Sequence, residues 1–358
     1  MSLALELAYK QKGITHPNPT VGAVIVKNGK ILGKGYHKGA GNPHAEIEAI
    51  NDALKKGYSL EGATIYITLE PCCHYGRTPP CTDAIINHKF KKVVIATKDP
   101  NPQVSGKGIK ILKEKGIQVK TGVLEEYAKK LNEDFFTFIT KKRPFIHLKL
   151  AQTIDGKIAS FTGSSKWITN EKSREYAHLL RKEAGAVLVG INTVLTDNPL
   201  LTVRNIKTQK QPKRIILDKS LKIPENSRIL NKEADTIIIT SNNADKEKIK
   251  KLTDKGITIE KLPLINGKFD IKDLLSLLYK LEIVQVLVEG GSQTITEFIK
   301  TKKVDRFSIF IAPKILGKEG ISSIGNLNIE NIKDAYNFHL EDLRRFDDDI
   351  YLSLKPKS

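Results

Sequence analysis

Thr68-Leu69-Glu70-Pro71-Cys72-Cys73-His74-Tyr75-Gly76-Arg77-Thr78-Pro79-Pro80-Cys81 is the stretch on which the reading of this chain turns. It holds all 3 cysteines of the 358-residue sequence. Cysteines confined to one short stretch exclude a disulfide framework and make a single local metal site the natural alternative. The β-branched run Ile65 to Leu69 reads as a strand that ends at Glu70-Pro71. Cys72 therefore sits where a strand stops, and Cys81 follows a proline-rich turn.

Upstream, His44-Ala45-Glu46 lies where a Pro43 turn feeds a helix, expected over Ala45 to Lys56 from apolar positions at helical spacing. One imidazole and two thiolates, from His44, Cys72 and Cys81, leave the fourth tetrahedral position of a zinc ion for water, as a catalytic zinc requires. Hydrolysis there still needs a base for the water and an acid for the departing ammonia. Glu46, two residues from the histidine, is placed to be both. His-x-Glu followed by Pro-Cys and a second Cys is the pattern of zinc deaminases of nucleobase-like rings, in which the glutamate moves protons and is not a ligand. Here eight residues, not two, separate Cys72 from Cys81. A purely structural zinc would take four protein donors, with His74 the obvious fourth, but that leaves the His-Ala-Glu triplet without a role.

A chain of this length fits two domains of ordinary size. Hydrophobic residues at 40% and charged residues at 28% are the composition of a soluble globular protein. Glu6 and Lys10 interrupt the apolar N-terminus, so no signal-peptide core is read, and no later run is long enough to span a membrane; a cytoplasmic location is expected. The net charge of +19 would suit nucleic acid, yet the lysines are scattered, as in Lys89 to Lys92 and Lys246 to Lys251, without aromatic interleaving. The expectation is a solvated basic surface that draws in small anions. A nucleic-acid deaminase and a zinc-stabilised binding module are the rival readings.

Strand, helix, strand is the implied order around the site: Ala23 to Val26, Ala45 to Lys56, Ile65 to Leu69. The alternation continues with a strand at Val93 to Ala96, a helix at Gly108 to Lys115 and a strand near Ile117 to Lys120. Lys141-Lys142-Arg143-Pro144 is a charged, proline-stopped boundary, which gives domains over 1–142 and 143–358. The second half is again α/β, with strands at Phe145 to Leu150, Ala186 to Val189, Arg214 to Leu217, Thr236 to Thr240, Val284 to Val288 and Ser308 to Ala312. Helices are expected at Lys172 to Glu183 and Lys272 to Leu281. Neither a G-x-G-x-x-G nor a P-loop fingerprint occurs. The most suggestive turn is Glu289-Gly290-Gly291-Ser292, where two glycines between strand and helix let backbone N–H groups approach an anion.

The opening stretch, with His16-Pro17-Asn18-Pro19-Thr20-Val21-Gly22 and Asp99-Pro100-Asn101-Pro102, closely resembles the deaminase half of the bifunctional riboflavin-biosynthesis deaminase/reductases. The long insert between the two cysteines is that family's mark. Leu148 to Lys157, Ser165 to Thr169, Thr193 to Pro199 and Val288 to Gly291 resemble successive blocks of its reductase half. The resemblance implies a cytidine-deaminase-like three-layer α/β/α domain followed by a dihydrofolate-reductase-like α/β domain. It implies zinc on His44, Cys72 and Cys81, with Glu46 as proton shuttle; the family's Pro-Cys pairing favours Cys72 over Cys73, where a serine is more usual. It implies Asn18 and the loop from His74 to Thr78 in the deaminase pocket, with Arg77 near a ribose phosphate, a surface pair with an acid being the alternative reading of Arg77. NADPH would meet Ala151, Trp167, Thr193, Asp197, Gly291, Ser292, Gln293 and Thr294. The substrate, a phosphorylated pyrimidine ribotide, would meet Ser165, Arg181, Leu201, Arg204 and Glu289 in the second half. Lys149 and Asp155 are read as polar supports near the nicotinamide, and a homo-oligomer through the reductase domain is the expected assembly.

Overall fold

In the computed structural model the chain opens with helix α1 (Ser2–Tyr9) and an antiparallel hairpin, β1 (Gly22–Lys27) and β2 (Lys30–Tyr36); residues 1–75 and 79–357 are described. The hairpin turns on Asn28 and Gly29, at φ of 50° and 75°, the left-handed conformation that a two-residue turn between twisted strands demands. β2 corrects the strand–helix–strand order read from sequence. Its glycines have low strand propensity, and only packing explains them.

Helix α2 (Ala45–Lys55) crosses the hairpin at backbone contact. A Cβ on Gly35 would stand 2.3 Å from Ala45 O and Ala49 N, and one on Gly33 would stand 2.2 Å from Ala49 O. Ala45, Ala49 and Ala53 of the helix are wholly buried. This close approach sets where α2 begins, and so places His44, its N-cap residue, and Glu46, in its first turn.

The unit continues through β3 (Thr64–Leu69), α3 (Cys81–Asn87), β4 (Lys92–Thr97), α4 (Lys107–Glu114), β5 (Gln118–Lys120), α5 (Glu125–Leu131) and α6 (Glu133–Lys141). The sheet order is β2-β1-β3-β4-β5, with β3, β4 and β5 parallel. The helices fall into two sets: α2 touches α3 and α3 touches α4, while α1 touches α5 and α5 touches α6. That is the layered α/β/α arrangement, with Ile25, Ile65, Ile67, Val93 and Ile95 buried in its sheet.

Met1–Arg143 and Pro144–Ser358 pack as separate units. The second runs β6 (Phe145–Thr153), β7 (Lys157–Ala159), α7 (Glu171–Ala184), β8 (Ala186–Gly190), α8 (Ile191–Asp197), β9 (Lys213–Leu217), β10 (Thr236–Ser241), α9 (Lys246–Asp254) and β11 (Thr258–Leu262). Two short strands, β12 (Leu264–Ile265) and β13 (Lys268–Phe269), lead to α10 (Ile271–Lys280), β14 (Gln285–Val288), α11 (Ser292–Lys300), β15 (Arg306–Ala312), β16 (Ile321–Ser322), β17 (Phe338–Phe346) and β18 (Asp349–Pro356). The large sheet is ordered β11-β10-β9-β8-β14-β6-β15-β18-β17. Its first seven strands are parallel, and the C-terminal hairpin adds two antiparallel ones. From β6 the chain crosses to β8 and runs outward to β11, then returns to place β14 between β8 and β6 and β15 beyond β6; strand order reverses there, and a parallel sheet opens its ligand crevice at such a point.

Gly35→Val would drive a side chain into the α2 backbone. The first unit should lose about 1–3 kcal/mol of stability by thermal unfolding, the usual scale for overpacking, and bind less zinc. An unchanged unfolding curve with full metal content would contradict the close approach.

Candidate active sites

In the first unit, His44, Cys72 and Cys81 converge, with one ligand atom from each lying within 4.8 Å of the others. His44 Nδ1 is 3.3 Å from Cys81 Sγ and 3.5 Å from Cys72 Sγ. Zinc–nitrogen and zinc–sulfur bonds at tetrahedral angles put N and S about 3.5 Å apart, so the donor set fits a zinc ion. His74 is exposed and does not join the group, nor does Cys73. Three donors, not four, are what these residues offer. Gly76, Arg77 and Thr78 lie outside the described residues, so the expected phosphate contact of Arg77 and most of its loop do too.

Helix starts prepare the site. Cys81 opens α3, and its own backbone N–H donates to Cys72 Sγ at 3.3 Å. Hydrogen bonds from Cys81 and His44 pull the Cys72 thiol down to about 4. The Cys81 thiol, which donates to Cys72, is pushed well up by that bond and by burial. The protons shared here are those that a metal displaces on binding.

Glu46 is 4% exposed, and burial pushes its carboxyl up to about 7, against the pull of His44. It also hydrogen-bonds with Cys81, which puts the carboxyl beside the donor set. A carboxyl near neutrality that touches the metal donors can take a proton and give it back.

Glu70 anchors the strand end that carries Cys72. Its Oε2 accepts from Gly106 N at 2.9 Å, and its Oε1 accepts from Ile109 N at 3.1 Å, so one buried carboxylate caps α4. Sequence reading quoted Glu70 without giving it a task. A carboxylate ahead of Pro-Cys could be ligand, base or anchor, and the sequence does not choose.

In the second unit a cleft of about 850 Å³ opens at the carboxyl ends of β6, β8 and β14. Ala151, Trp167, Thr193, Asp197, Gly291, Ser292 and Gln293 line it, together with Ser165, Arg181, Leu201, Arg204 and Glu289. Thr294 is not among the lining residues; its Oγ1 would stand 2.7 Å from a Cβ on Gly190, packed beneath the turn. Gly291 adopts φ 64° as the N-cap of α11, and a Cβ on Gly290 would stand 3.1 Å from Thr193 Oγ1.

Glu289 and Arg181 form a bidentate pair, Nε to Oε1 at 2.5 Å and Nη2 to Oε2 at 2.8 Å, and Arg181 Nη1 donates to Thr202 O. Its fork is thereby committed within the protein. Burial alone would raise Glu289, but Arg181 and then Lys149 outweigh it and hold the carboxyl at about 2. Arg204 has no carboxylate partner among the described residues; its guanidinium donates to Thr202 Oγ1 and lines the cleft. Leu201 holds φ 52°, a costly conformation for a bulky residue, and it curves this loop around the cleft.

Among the lining residues missed in sequence are Arg174 and His178. Arg174 stacks its guanidinium 4.5 Å from the centroid of Trp167, the sole tryptophan of the chain, which is 63% exposed. His178 accepts from Arg204 N at 3.3 Å. It stands three residues before Arg181 on α7, on the same helical face, and that spacing was the available signal. Burial, then Arg181 and Arg204, push the His178 ring down to about 4.

Fold and sites together define a zinc-type deaminase of a ring amine joined to a reductase with a strand-edge cofactor cleft. Residues 1–97 match the family profile of the cytidine and deoxycytidylate deaminase zinc-binding region, and residues 144–352 match that of the RibD C-terminal domain. The riboflavin biosynthesis protein RibD of Aquifex aeolicus is 54% identical over 356 residues, which cover 99% of this chain and 97% of that one. That of Escherichia coli is 37% identical over 366 residues, covering 99% and 98%. Among solved structures, the diaminohydroxyphosphoribosylaminopyrimidine deaminase/5-amino-6-(5-phosphoribosylamino)uracil reductase of Thermotoga maritima superposes with a TM-score of 0.89 at 42% identity, covering 100% of this chain and 97% of that one. The chain belongs to the RibD family of bifunctional deaminase/reductases in riboflavin biosynthesis, whose cofactors are zinc and NADPH.

The depressed His178 and Glu289 of the second unit make acid destabilising. Unfolding lets His178 return from about 4 to its ordinary 6.5, and Glu289 return from about 2 to 4.5, so the unfolded chain binds more protons. The stability that these two groups contribute should be full above pH 6.5, should begin to fall below it, and should fall further below pH 4.5. His178→Gln should flatten the first of these two segments in thermal unfolding measured against pH. A first segment unchanged by that substitution would refute the assignment.

Proposed function

We propose that residues 1–142 hydrolyse the ring amino group of a diaminohydroxy-phosphoribosylaminopyrimidine, and that residues 143–358 then reduce the ribosyl chain of the deaminated product to the ribityl form. The observation that carries this reading is the contact of a buried, near-neutral Glu46 with a three-donor His44-Cys72-Cys81 set.

In this reading His44, Cys72 and Cys81 hold zinc, which supplies the Lewis acidity that brings water ionisation near neutral pH. Glu46 takes the proton of the attacking water and returns it to the leaving amine. Its burial beside the donor set keeps this one carboxyl within reach of both the water and the leaving amine, so it can do both. Asn18 lies on the loop that faces this centre: its Nδ2 donates to His37 Nε2 at 2.9 Å, and the His37 ring stands edge-on to His44, 5.3 Å between centroids.

In the second unit NADPH supplies the hydride. The turn from Gly291 to Gln293, with Ala151, Thr193 and Asp197, binds the cofactor, and Trp167 forms a wall of its site. Ser165, Leu201, Arg204 and Glu289 bind the ribotide. Arg204 is a cation available to the substrate phosphate, while Arg181 keeps Glu289 ionised as an acceptor for ribotide hydroxyls. No described helix is long and apolar enough to cross a membrane. We place the enzyme in the cytoplasm and pair its second unit with a copy of itself, a reading supported by the edge strand β17, whose Leu340 and Leu343 are 56% and 59% exposed.

Mass spectrometry of the pyrimidine ribotide incubated with enzyme should show exchange of NH for O, with ammonia released, without NADPH, and the further gain of two hydrogens with it. Glu46→Gln should keep its zinc yet lose deamination by about a thousandfold or more. Retained turnover in that variant would overturn the proton-shuttle role. Ammonia released from RNA but not from the ribotide would overturn the substrate.

A further inference from the structure

The deaminase family profile stops at residue 97, yet the loop that carries Asn18 is held by residues far beyond it. Asn132 is 1% exposed and Asp134 is 2% exposed, at the junction of α5 and α6. Asn132 Oδ1 accepts from Thr20 N at 2.7 Å, and its Nδ2 donates to Thr20 O at 2.9 Å. One side chain thus pairs with both backbone groups of the residue that ends the loop. At the other end, His16 Nε2 donates to Asp134 Oδ2 at 2.8 Å. Lys12 Nζ meets Asp134 Oδ1 at 2.7 Å and also donates to Leu131 O at 2.7 Å. Burial would raise the Asp134 carboxyl, but Lys12 and His16 outweigh it and hold it well below the usual carboxylate range.

Between these anchors Asn18 has one orientation. Pro43 O can only accept, so His37 Nδ1, 3.1 Å away, carries the ring proton, and the neutral His37 Nε2 must accept. Asn18 therefore turns its Nδ2 to His37, which leaves its Oδ1 as the atom offered to a ring N–H or amino group. A five-residue loop with two prolines has little internal hydrogen bonding of its own, namely Asn18 N to Thr15 O at 3.0 Å and the Thr15–Thr20 hydroxyl pair at 3.1 Å. The position of that oxygen is set from outside.

We propose that Asn132 and Asp134 are positioning residues of the deaminase, clamping both ends of the His16–Thr20 loop so that Asn18 meets the ring in reactive register. The proposal rests on the reading of Asn18 as a pocket residue. It makes the α5–α6 segment part of the catalytic unit although it lies outside the matched deaminase region.

The test uses the full-length zinc enzyme and the pyrimidine ribotide. Asn132→Asp removes a donor, Asp134→Asn removes the charge, and His16→Leu removes the donor to Asp134. Each should lower deaminase kcat by about tenfold or more, since small misplacements of reacting groups cost rate of this order, with KM changed less. His16→Gln, which keeps a donor at the same reach, should restore turnover. Zinc content and NADPH-dependent reduction of the deaminated ribotide should match wild type in all four. In an Asn18→Ala background the same substitutions should cost no more than about twofold, because residues acting through one group are not additive. Wild-type rates in Asn132→Asp and Asp134→Asn, beside a slow Asn18→Ala, would overturn the clamp alone. Additive losses, or loss of zinc with activity, would overturn it as well, in favour of a general structural role. A fully active Asn18→Ala would overturn both the clamp and the pocket reading on which it rests.

Discussion

Strands buried on both faces leave a parallel sheet only its carboxyl edge for chemistry, and both sites of this protein obey that constraint. In the first unit β3 runs out into Cys72 and β4 into Asp99, while α2 and α3 aim their first turns at the same edge. In the second, β6, β8 and β14 end at the residues that line the cleft. Glycine enforces the geometry in each unit: Gly35 lets α2 rest on the hairpin, and Gly290 and Gly291 let the strand-to-helix turn close against Thr193. The catalytic side chains are where they are because backbones touch.

Each unit buries a glutamate beside its site, Glu46 in the first and Glu289 in the second, and the two are shifted in opposite directions. Glu46 is raised by burial to about 7, with only a partial counterweight from His44. Glu289 is as deeply buried, but a bidentate guanidinium holds it at about 2. It is a fixed negative charge with known geometry. Desolvation is common to both, and the partner each carboxyl meets within the protein decides which way its proton affinity moves.

Much of the architecture was legible as periodicity. α2, α7 and α10 lie within about a residue of where their apolar spacing put them, and the central strands of both sheets coincide with their β-branched runs. What escaped were elements whose residues answer to neighbours. β2 reads as a glycine-rich, lysine-rich loop until α2 is laid on it, although Asn28-Gly29 was a hairpin signal in plain view. The β17–β18 hairpin hid behind its charged residues, because a mostly exposed edge strand need not alternate.

The sequence by itself determined the metal-donor types, the His-x-Glu spacing and the blocks that mark two linked chemistries, since these depend on residue identity at short range. Only the tertiary structure decided that Cys72 and not Cys73 joins His44 and Cys81, that His74 stands apart, and that Arg181 spends its fork on Glu289 while Arg204 does not. It also decided that Asn132 and Asp134 hold a loop more than a hundred residues earlier in the chain. Such pairings follow from which buried polar groups must find partners across the fold, and no local pattern in the chain encodes that match.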